Sequence, residues 1–187
     1  MFFKMMLLVI VASFVAVSQA QEFGAFGCPT ISTKDNFNLT RYLGTWYEIY
    51  KFKANFENNE KCIQANYQLK SNGHIRVNNT GVSISDGSPS TAIGDIYIPD
   101  PSVGSRLKVK FASAAPYGNY WVLDTDYENY TLIYSCTSIL GISHFEFGWI
   151  LARSRTLPDS TIQKLFGIMD GYKINTHHFM KTDQSGC

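Results

Sequence analysis

The chain has 187 residues, of which 45% are hydrophobic and 14% aromatic, enough apolar material for the core of one domain. Its 16 Lys and Arg nearly balance its 15 Asp and Glu, giving a formal net charge of +1. With no basic stripe and no acidic run, this balance argues against a nucleic-acid-binding protein and against a store for cations.

The first twenty residues have the pattern of a secretory signal peptide. Lys4 precedes an apolar run from Met5 to Val17, and Ser18-Gln19-Ala20 forms a small-x-small cleavage site. The run is shorter than the ~20 apolar residues that cross a bilayer, which argues against the alternative, a retained membrane anchor. We therefore expect a signal peptide over residues 1–20 and a secreted, extracellular domain over residues 21–187.

The stretch from residue 43 to residue 50 is rich in β-branched and aromatic residues, as strands are. Alternation places Trp46, Glu48 and Tyr50 on one face of this strand and Lys51 on the other. Gly44 stands just before it, where the missing side chain leaves room for a close neighbour. The stretch predicts the first strand of a barrel.

A β-hairpin is the clearest local prediction. Residues 62–69 and 74–79 alternate between apolar and polar side chains, and Asn72-Gly73 between them suits a tight turn. Asn79 then shares the inward face of the second strand, whereas Asn78 points outward and begins the sequon Asn78-Asn79-Thr80. Because a glycan must remain in solvent, the sequon agrees with this assignment of the faces.

Eight strands of this kind recur along the chain, with little helix between them. They cover residues 43–50, 62–69, 74–79, 92–98, 106–111, 120–123, 130–135 and 144–151. In the fifth, Leu107, Val109 and Phe111 alternate with three basic residues. Since a charged outer face meets water directly, this favours an up-and-down barrel over a sheet covered by helices on both faces.

One helix is predicted after the last strand. Pro158 and Asp159 suit a first helical turn, and Gly171 marks the end. Between them four apolar residues recur at helical spacing: Ile162, Leu165, Phe166 and Met169. We expect this stripe to dock on the outside of the barrel; the alternative is a helix that binds a partner.

Six segments of the chain carry a family resemblance. They are Gly44-Thr45-Trp46-Tyr47-Glu48-Ile49, Phe56-Glu57-Asn58, Cys62-Ile63-Gln64-Ala65-Asn66-Tyr67, Thr125-Asp126-Tyr127-Glu128-Asn129-Tyr130, Tyr134-Ser135-Cys136 and Trp149-Ile150-Leu151-Ala152-Arg153. In this order they resemble the lipocalins, and among them the apolipoprotein D-like branch whose relatives include bilin-binding protein and Lazarillo. The resemblance implies an all-β fold, an eight-stranded antiparallel up-and-down lipocalin β-barrel with one C-terminal α-helix packed outside.

The resemblance also assigns the signature residues to the closed base of the barrel: Gly44, Trp46, Thr125, Asp126, Tyr127 and Arg153. In lipocalins the matching arginine stacks on the base tryptophan. We therefore expect Arg153 to be structural rather than a ligand anchor. Asp126 is expected to cap the adjacent turn.

Four cysteines, Cys28, Cys62, Cys136 and Cys187, suit an oxidising compartment. None forms a Cys-x-x-Cys pair, which argues against a zinc ribbon or a thioredoxin-type centre. The sequence alone leaves three pairings open. The resemblance implies Cys28 with Cys136 and Cys62 with Cys187, which would leave no thiol inside the barrel for catalysis.

An eight-stranded barrel either packs solid or holds one small ligand, and the inward side chains decide which. Alternation places ten residues there: Tyr67, Val77, Asn79, Ile96, Phe111, Tyr120, Val122, Ile133, Phe147 and Trp149. A solid core would not place Asn79 and several tyrosines inward without partners, so we expect a ligand cavity rather than a plain core.

The resemblance implies a carrier of a small hydrophobic ligand, with fatty acid, steroid, retinoid and bilin all fitting this lining. The alternative is a glycosylated cell-surface or extracellular interaction protein, Lazarillo-like, that engages a receptor and uses the barrel as a scaffold. Asn38, Asn78 and Asn129 begin sequons, with Asn78 the strongest acceptor. The predicted mouth loop, residues 113–118, has little apolar area, so we expect at most weak membrane contact. Neither the ligand nor the oligomeric state follows from the sequence.

No catalytic motif supports an enzyme. The chain has no Gly-x-Ser-x-Gly, no His-Glu-x-x-His and no glycine-rich phosphate loop. His177 and His178 are adjacent rather than at metal-ligand spacing, which favours a solvated tail over a metal site. We therefore expect a binding protein without a cofactor or metal.

Overall fold

Eight antiparallel strands close into a barrel in the computed structural model, which describes residues 22–25, 27–53 and 59–187. The described residues contain ten strands, of which β2 to β9 form the barrel: β1 (Glu22–Ala25), β2 (Gly44–Phe52), β3 (Glu60–Leu69), β4 (Ile75–Ser83), β5 (Pro89–Tyr97), β6 (Arg106–Lys110), β7 (Gly118–Thr125), β8 (Tyr130–Ile139), β9 (Ser143–Ala152) and β10 (Phe179–Lys181). From β2 to β9 each strand pairs with the next along the chain, and β2 closes the ring by pairing with β9. The predicted signal peptide and the segment Phe56-Glu57-Asn58 lie outside the described residues.

Among the described residues two α-helices flank the barrel, α1 (Leu39–Tyr42) before it and α2 (Asp159–Gly171) after it. Helix α2 begins and ends within one residue of the predicted bounds. The all-β, up-and-down barrel with one helix packed outside is therefore confirmed. The sequence did not predict α1, nor the short strands β1 and β10, which pair with β9 and β2 respectively.

Strand β2 does not keep the alternation predicted for it. Its pairing with β9 shifts register between Glu48 and Tyr50. Tyr50 was predicted to share the face of Trp46, but it lies outside the barrel, where its ring centroid is 5.6 Å from that of Phe166. Lys51, predicted on the opposite face, instead lies inward across from the cavity residue Trp149. A bulge adds one residue to a strand and reverses the faces beyond it, which pure alternation cannot foresee.

Two apolar cores lie on the two sides of the barrel wall. Inside, Trp46 packs among buried side chains from several strands, including Ile75 and Leu107. Outside, Leu165 and Met169 of α2 are fully buried against the wall. Burying each of these two side chains contributes roughly 1.5–3 kcal/mol to stability. The predicted stripe of α2 therefore docks on its own domain.

The described segments before and after the barrel are both joined to it. Strand β10 pairs with β2, and the amide of Cys62 donates a 2.9 Å hydrogen bond to the carbonyl of Asp183 just beyond β10. Cys62 is bonded to Cys187, which fixes this C-terminal segment. The N-terminal segment is fixed by the disulfide between Cys28 and Cys136. These are the two pairings that the family resemblance implies.

Candidate ligand cavity

Arg153 closes one end of the barrel by lying against the ring of Trp46. Its Cζ is 3.7 Å from the ring centroid, within range of a cation–π contact. The guanidinium also donates hydrogen bonds to the carbonyls of Thr45 at 2.7 Å, Leu43 at 2.9 Å and Tyr127 at 3.0 Å. One side chain thus connects the start of β2 to the turn between β7 and β8. The structure places Arg153 in this closed base, outside the cavity.

Asp126 organises the turn that faces Arg153. Its Oδ1 accepts hydrogen bonds from the backbone amides of Glu128, Asn129 and Tyr130 at 3.1, 2.8 and 3.0 Å. Burial alone would raise the pKa of this carboxyl, but hydrogen bonds from Asn129 and from the backbone amides outweigh it and lower the pKa. In the same turn the hydroxyl of Thr125 donates to the carbonyl of Tyr130 at 2.7 Å.

Gly44 is the residue that lets β2 begin so close to Arg153. Its φ is +95°, in the region that favours glycine. A Cβ at this position would lie 3.4 Å from Nη1 of Arg153. The close neighbour of Gly44 is therefore a guanidinium.

Three tyrosine hydroxyls form the floor above this base. The hydroxyl of Tyr120 lies 2.9 Å from that of Tyr42 and 2.8 Å from that of Tyr67. Burial raises the pKa of Tyr42 to about 12 and raises the pKa values of Tyr67 and Tyr120 well above the ordinary value. All three hydroxyls stay protonated at neutral pH. The inward tyrosines of the floor are thus partnered by one another, contrary to our expectation that they lack partners.

Above the floor the barrel encloses a cavity of about 600 Å³. Nine of the ten residues predicted to line it do so: Tyr67, Val77, Asn79, Ile96, Phe111, Tyr120, Ile133, Phe147 and Trp149. The rings of Phe147 and Trp149 lie stacked, with centroids 5.8 Å apart. Phe111 is at the mouth, where it is 47% exposed.

Val122 is the exception among the ten. It faces inward, but it is fully buried in the base core and does not border the cavity. Alternation predicts which side of the wall a residue faces. It does not give the depth along the barrel axis, so Val122 was placed in the cavity wrongly.

Several polar wall residues were missed. Glu48 lies on the same face as Trp46, and alternation could have found it. Gln64 borders the cavity although it pairs opposite Tyr47 on the outward face of β3, so alternation did not place it there. Glu60 precedes the predicted strand, so no pattern placed it at the mouth.

The polar groups of the wall differ in how they are satisfied. The Oε1 of Glu48 lies 3.4 Å from Nζ of Lys51 and accepts a 2.7 Å hydrogen bond from the hydroxyl of Thr182, next to β10. The side chains of Glu48 and Lys51 are only 5% and 6% exposed, so this is a buried ion pair. In contrast, the Oδ1 of Asn79 is buried and has no hydrogen-bond partner.

This geometry can be compared with known proteins. A family model described as a lipocalin-like domain matches residues 37–184. Apolipoprotein D of Cavia porcellus is 40% identical over 183 residues, which cover 98% of this chain and 96% of that protein. The chain belongs to the lipocalin family.

Two further comparisons extend this result. The Lazarillo protein of Schistocerca americana is 30% identical over 184 residues, which cover 96% of this lipocalin and 85% of that protein. Among solved structures, insecticyanin of the tobacco hornworm Manduca sexta L. has a TM-score of 0.75 at 27% identity, covering 89% of this chain and 90% of that chain. The resemblance to the apolipoprotein D-like branch is confirmed.

The three sequons of this lipocalin lie in different surroundings. Asn38 and Asn129 are exposed, and both side chains are engaged: Asn38 accepts from the amide of Arg41, and Asn129 donates to Asp126. Asn78 lies on the outer face of β4 but is only half exposed, and its Oδ1 is buried without a partner. Occupancy of these sites, and the ranking of Asn78 first, stay predictions.

One of the two adjacent histidines is packed rather than solvated. The ring of His178 lies edge-on to Phe52, and its Nδ1 is 3.4 Å from Oε1 of Glu146. The Nε2 of His144 is 3.6 Å from Oε2 of Glu146, and the hydroxyl of Tyr134 donates a 2.6 Å hydrogen bond to the same Oε2. The expectation of a solvated tail is thus wrong for His178. No group of three or more His, Cys, Asp or Glu side chains in the described residues is arranged to hold a metal ion.

The mouth of the barrel carries exposed apolar side chains. Leu140 and Ile142, in the turn between β8 and β9, are 90% and 72% exposed. The prediction of weak membrane contact was based on the loop from residue 113 to residue 118 and did not include this neighbouring turn. None of the helices that the structure describes has both the length and the apolar character to cross a membrane.

Proposed function

We propose that this lipocalin is extracellular, and that it binds one small hydrophobic molecule non-covalently in its cavity and transports it there. The observation that supports this most is the cavity itself. Its volume of about 600 Å³ falls within the ~300–1,000 Å³ typical of ligand sites. A barrel that packed solid would have no such volume.

The wall chemistry supports an apolar cargo. Apolar atoms, from side chains such as Val77, Ile96 and Trp149, make up most of the wall surface, and hydroxyl, amide and carboxylate groups stand among them. Such walls bury hydrocarbon and orient a polar end. Because Arg153 and Trp46 close the base, the cargo would enter and leave only through the mouth. Fatty acid, steroid, retinoid and bilin are the ligand classes we propose.

The extracellular setting rests on the disulfides. Both bridges join segments more than a hundred residues apart, with sequence separations of 108 and 125. Disulfides of this kind persist in oxidising compartments and are rare in the cytosol. The same bridges occupy all four cysteines, so a mechanism that needs a thiol inside the barrel has no candidate residue.

Tryptophan fluorescence tests this proposal, because the three tryptophans have three different environments. Trp149 borders the cavity, Trp46 lies in the base core, and Trp121 lies outside the barrel under Arg106. We expect arachidonate or a steroid to quench the emission saturably at micromolar concentration. Trp149→Phe should remove most of the response, and Trp121→Phe, the matched control, should keep it. An unchanged response in Trp149→Phe would contradict binding in this cavity.

A further inference from the structure

The tyrosine floor of the cavity, formed by Tyr42, Tyr67 and Tyr120, has more O–H groups than its own hydrogen bonds use. Two bonds join the three hydroxyls: Tyr120 lies 2.9 Å from Tyr42 and 2.8 Å from Tyr67. A third, longer contact of 3.4 Å has Thr131 donating its own proton to Tyr42. Each tyrosine hydroxyl carries one proton, and each bond uses one. One tyrosine O–H therefore has no acceptor among the described residues.

The spare O–H can be presented to the cavity by either of two side chains. Tyr67 and Tyr120 border the cavity, whereas Tyr42 does not. If Tyr42 donates to Tyr120 and Tyr120 donates to Tyr67, the spare O–H is on Tyr67. If the hydroxyl of Tyr67 rotates to donate to Tyr120, the spare O–H is on Tyr120. A buried donor without an acceptor is destabilising, so a ligand oxygen that accepts from it makes a hydrogen bond that the floor alone cannot make.

Contacts with the base hold the floor in place before a ligand binds. The Nε1 of Trp46 donates a 2.8 Å hydrogen bond to the carbonyl of Tyr42. The ring centroid of Tyr67 is 5.5 Å from that of Tyr42 and 6.3 Å from that of Tyr120. Because these rings are already packed against one another, a ligand does not have to order them, and less binding free energy is lost.

The walls above the floor favour one orientation of a ligand. Val77 and Ile96 are buried in the inner core and border the cavity. A hydrogen bond among such apolar side chains is stronger than one in water. At the other end of the cavity, Phe111 presents an apolar ring at the mouth. A ligand whose polar end reaches the floor therefore places its hydrocarbon against these apolar side chains.

We propose that the tyrosine floor is a subsite for the polar end of the cargo, where Tyr67 or Tyr120 donates the spare O–H to a carbonyl or carboxyl oxygen. The cargo then lies with this oxygen toward the base and its hydrocarbon toward the mouth. Fatty acids, steroid ketones, retinoid aldehydes and bilins all carry such an oxygen, so the subsite orients these classes and excludes none of them. This inference rests on the proposed function, because it names how the same cavity holds its cargo.

Two isomeric ketones test the orientation: methyl decyl ketone, whose carbonyl is near the chain end, and pentyl hexyl ketone, whose carbonyl is near the middle. The isomers contain the same atoms, so they differ mainly in how far the carbonyl can reach. In tryptophan-quenching titrations we expect methyl decyl ketone to bind roughly fivefold more tightly. Equal or tighter binding of pentyl hexyl ketone would overturn the subsite. Failure of both isomers to bind would instead overturn the proposed function, and the subsite with it.

Removing hydroxyls tests the role of the two tyrosines that border the cavity. Tyr67→Phe/Tyr120→Phe removes both of their O–H groups and should abolish the preference for methyl decyl ketone. Tyr67→Phe alone should keep the preference, because Tyr120 then accepts from Tyr42 and donates to the ligand. Tyr42→Phe is the matched control, since it removes a hydroxyl of the same floor that does not border the cavity. A preference that persists in the double variant, or is lost in Tyr42→Phe, would overturn the assignment.

An infrared measurement on the unchanged protein does not depend on whether these variants fold. Methyl decyl ketone is labelled with a heavy isotope at its carbonyl carbon, and the stretching band of the bound carbonyl is compared with that in hexane, which has no hydrogen-bond donor. A hydrogen bond from a tyrosine weakens the C=O bond, so we expect the bound ketone to absorb at lower wavenumber. A band at the hexane position would show that the carbonyl meets no donor and would overturn the subsite.

Discussion

The closed base and the open mouth of this barrel are held together in different ways. At the base, Arg153, Trp46 and Asp126 form a dense set of hydrogen bonds and ring contacts. Toward the mouth, two disulfides fix the chain ends: Cys62 is the third residue of β3, and Cys136 lies near the end of β8. The base uses directional non-covalent contacts, whereas the mouth half uses covalent bonds.

The difference suits what each end has to do. Among the described residues, no buried side-chain atom that lacks a hydrogen-bond partner belongs to the base. The mouth must stay open, so it cannot bury its own apolar surface, and side chains such as Phe111, Leu140 and Ile142 remain exposed there. Disulfides hold an open end because they stabilise without needing a packed core around them.

Removing the bridge at the tail should have the largest effect. In Cys62→Ser/Cys187→Ser the covalent link across 125 residues is lost, and chain-entropy estimates give roughly 4–5 kcal/mol for such loops. We expect a loss of roughly 3–5 kcal/mol in the free energy of unfolding, measured by urea denaturation. A variant as stable as the parent would show that the mouth half does not depend on covalent bonds.

The same variant should also weaken ligand quenching, because the tail contacts the cavity wall. Thr182 donates to the carboxylate of Glu48, and Gln184 donates to the carbonyl of Ile63 at 2.7 Å. Cys28→Ser/Cys136→Ser is the matched control: it removes a bridge of similar loop length from the N-terminal segment and should leave quenching largely intact. Equal loss of binding in the two variants would contradict a specific role for the tail.

At the base, Arg153→Met should be the most damaging single substitution. It removes the contact with Trp46 and leaves partly buried carbonyls without a donor, at roughly 2–4 kcal/mol. Arg155→Met is the matched control, since Arg155 also stacks on a ring, 4.5 Å from the centroid of Tyr47, but donates to the side chain of Gln184. We expect the control to lose less than about 1 kcal/mol. Equal losses, measured by far-UV circular dichroism in urea, would mean that the carbonyl contacts contribute little.

The base was the easier end to predict from the sequence. Gly44, Trp46 and Arg153 occur in short motifs whose order along the chain carried the resemblance, although Arg153 and Thr45 meet across 108 residues. The cavity walls followed from alternation wherever a strand is regular, as on β6. They failed at the register shift on β2, beyond which Lys51 faces inward against the simple pattern.

The mouth half was harder because the segments that pack there carry no motif and no periodic pattern. Strand β10 has three residues, too few for a periodic signal, and it is ordered by pairing with β2. His178 is packed because that pairing carries it to Phe52 and Glu146. No local pattern near residue 178 contains this information.

The base and the mouth each contain a glycine with positive φ, and replacing each by alanine compares the two ends. Gly44 at the base has φ +95° and a guanidinium in contact range of a new Cβ, whereas Gly141 at the mouth has φ +73° and nothing within 4 Å. Gly141→Ala should cost roughly 1 kcal/mol from backbone strain alone. Gly44→Ala should cost roughly 1–3 kcal/mol, because its φ of +95° lies farther from the left-handed region near +57° that alanine can adopt. Chemical denaturation of the two variants measures the difference, and a larger loss at Gly141 would reverse the expected order.

The smallest effect concerns acid, and it compares two aspartates that cap turns. Asp126 at the base and Asp86 at the mouth both have a lowered pKa. At Asp126 hydrogen bonds from the side chain of Asn129 and from backbone amides outweigh burial. At Asp86 hydrogen bonds from Ser83 and Ser88 lower the pKa. A carboxyl with a lowered folded pKa stabilises the fold above its unfolded value of about 3.9, and this contribution is lost as the pH falls through the folded pKa.

Replacing each aspartate by asparagine removes this titration and keeps an oxygen that accepts hydrogen bonds. At neutral pH Asp126→Asn should lower the free energy of unfolding by less than about 1 kcal/mol, because solvent screens much of the charge. The deficit relative to the parent should shrink below about pH 4, where the parent also loses the charge. Asp86→Asn should show a weaker dependence, since Asp86 is fully exposed in a mouth loop. Urea denaturation midpoints of both variants, measured at neutral and at acidic pH, test this prediction. A steeper pH dependence for Asp86→Asn than for Asp126→Asn would contradict the idea that the base depends more on charged hydrogen bonds than the mouth.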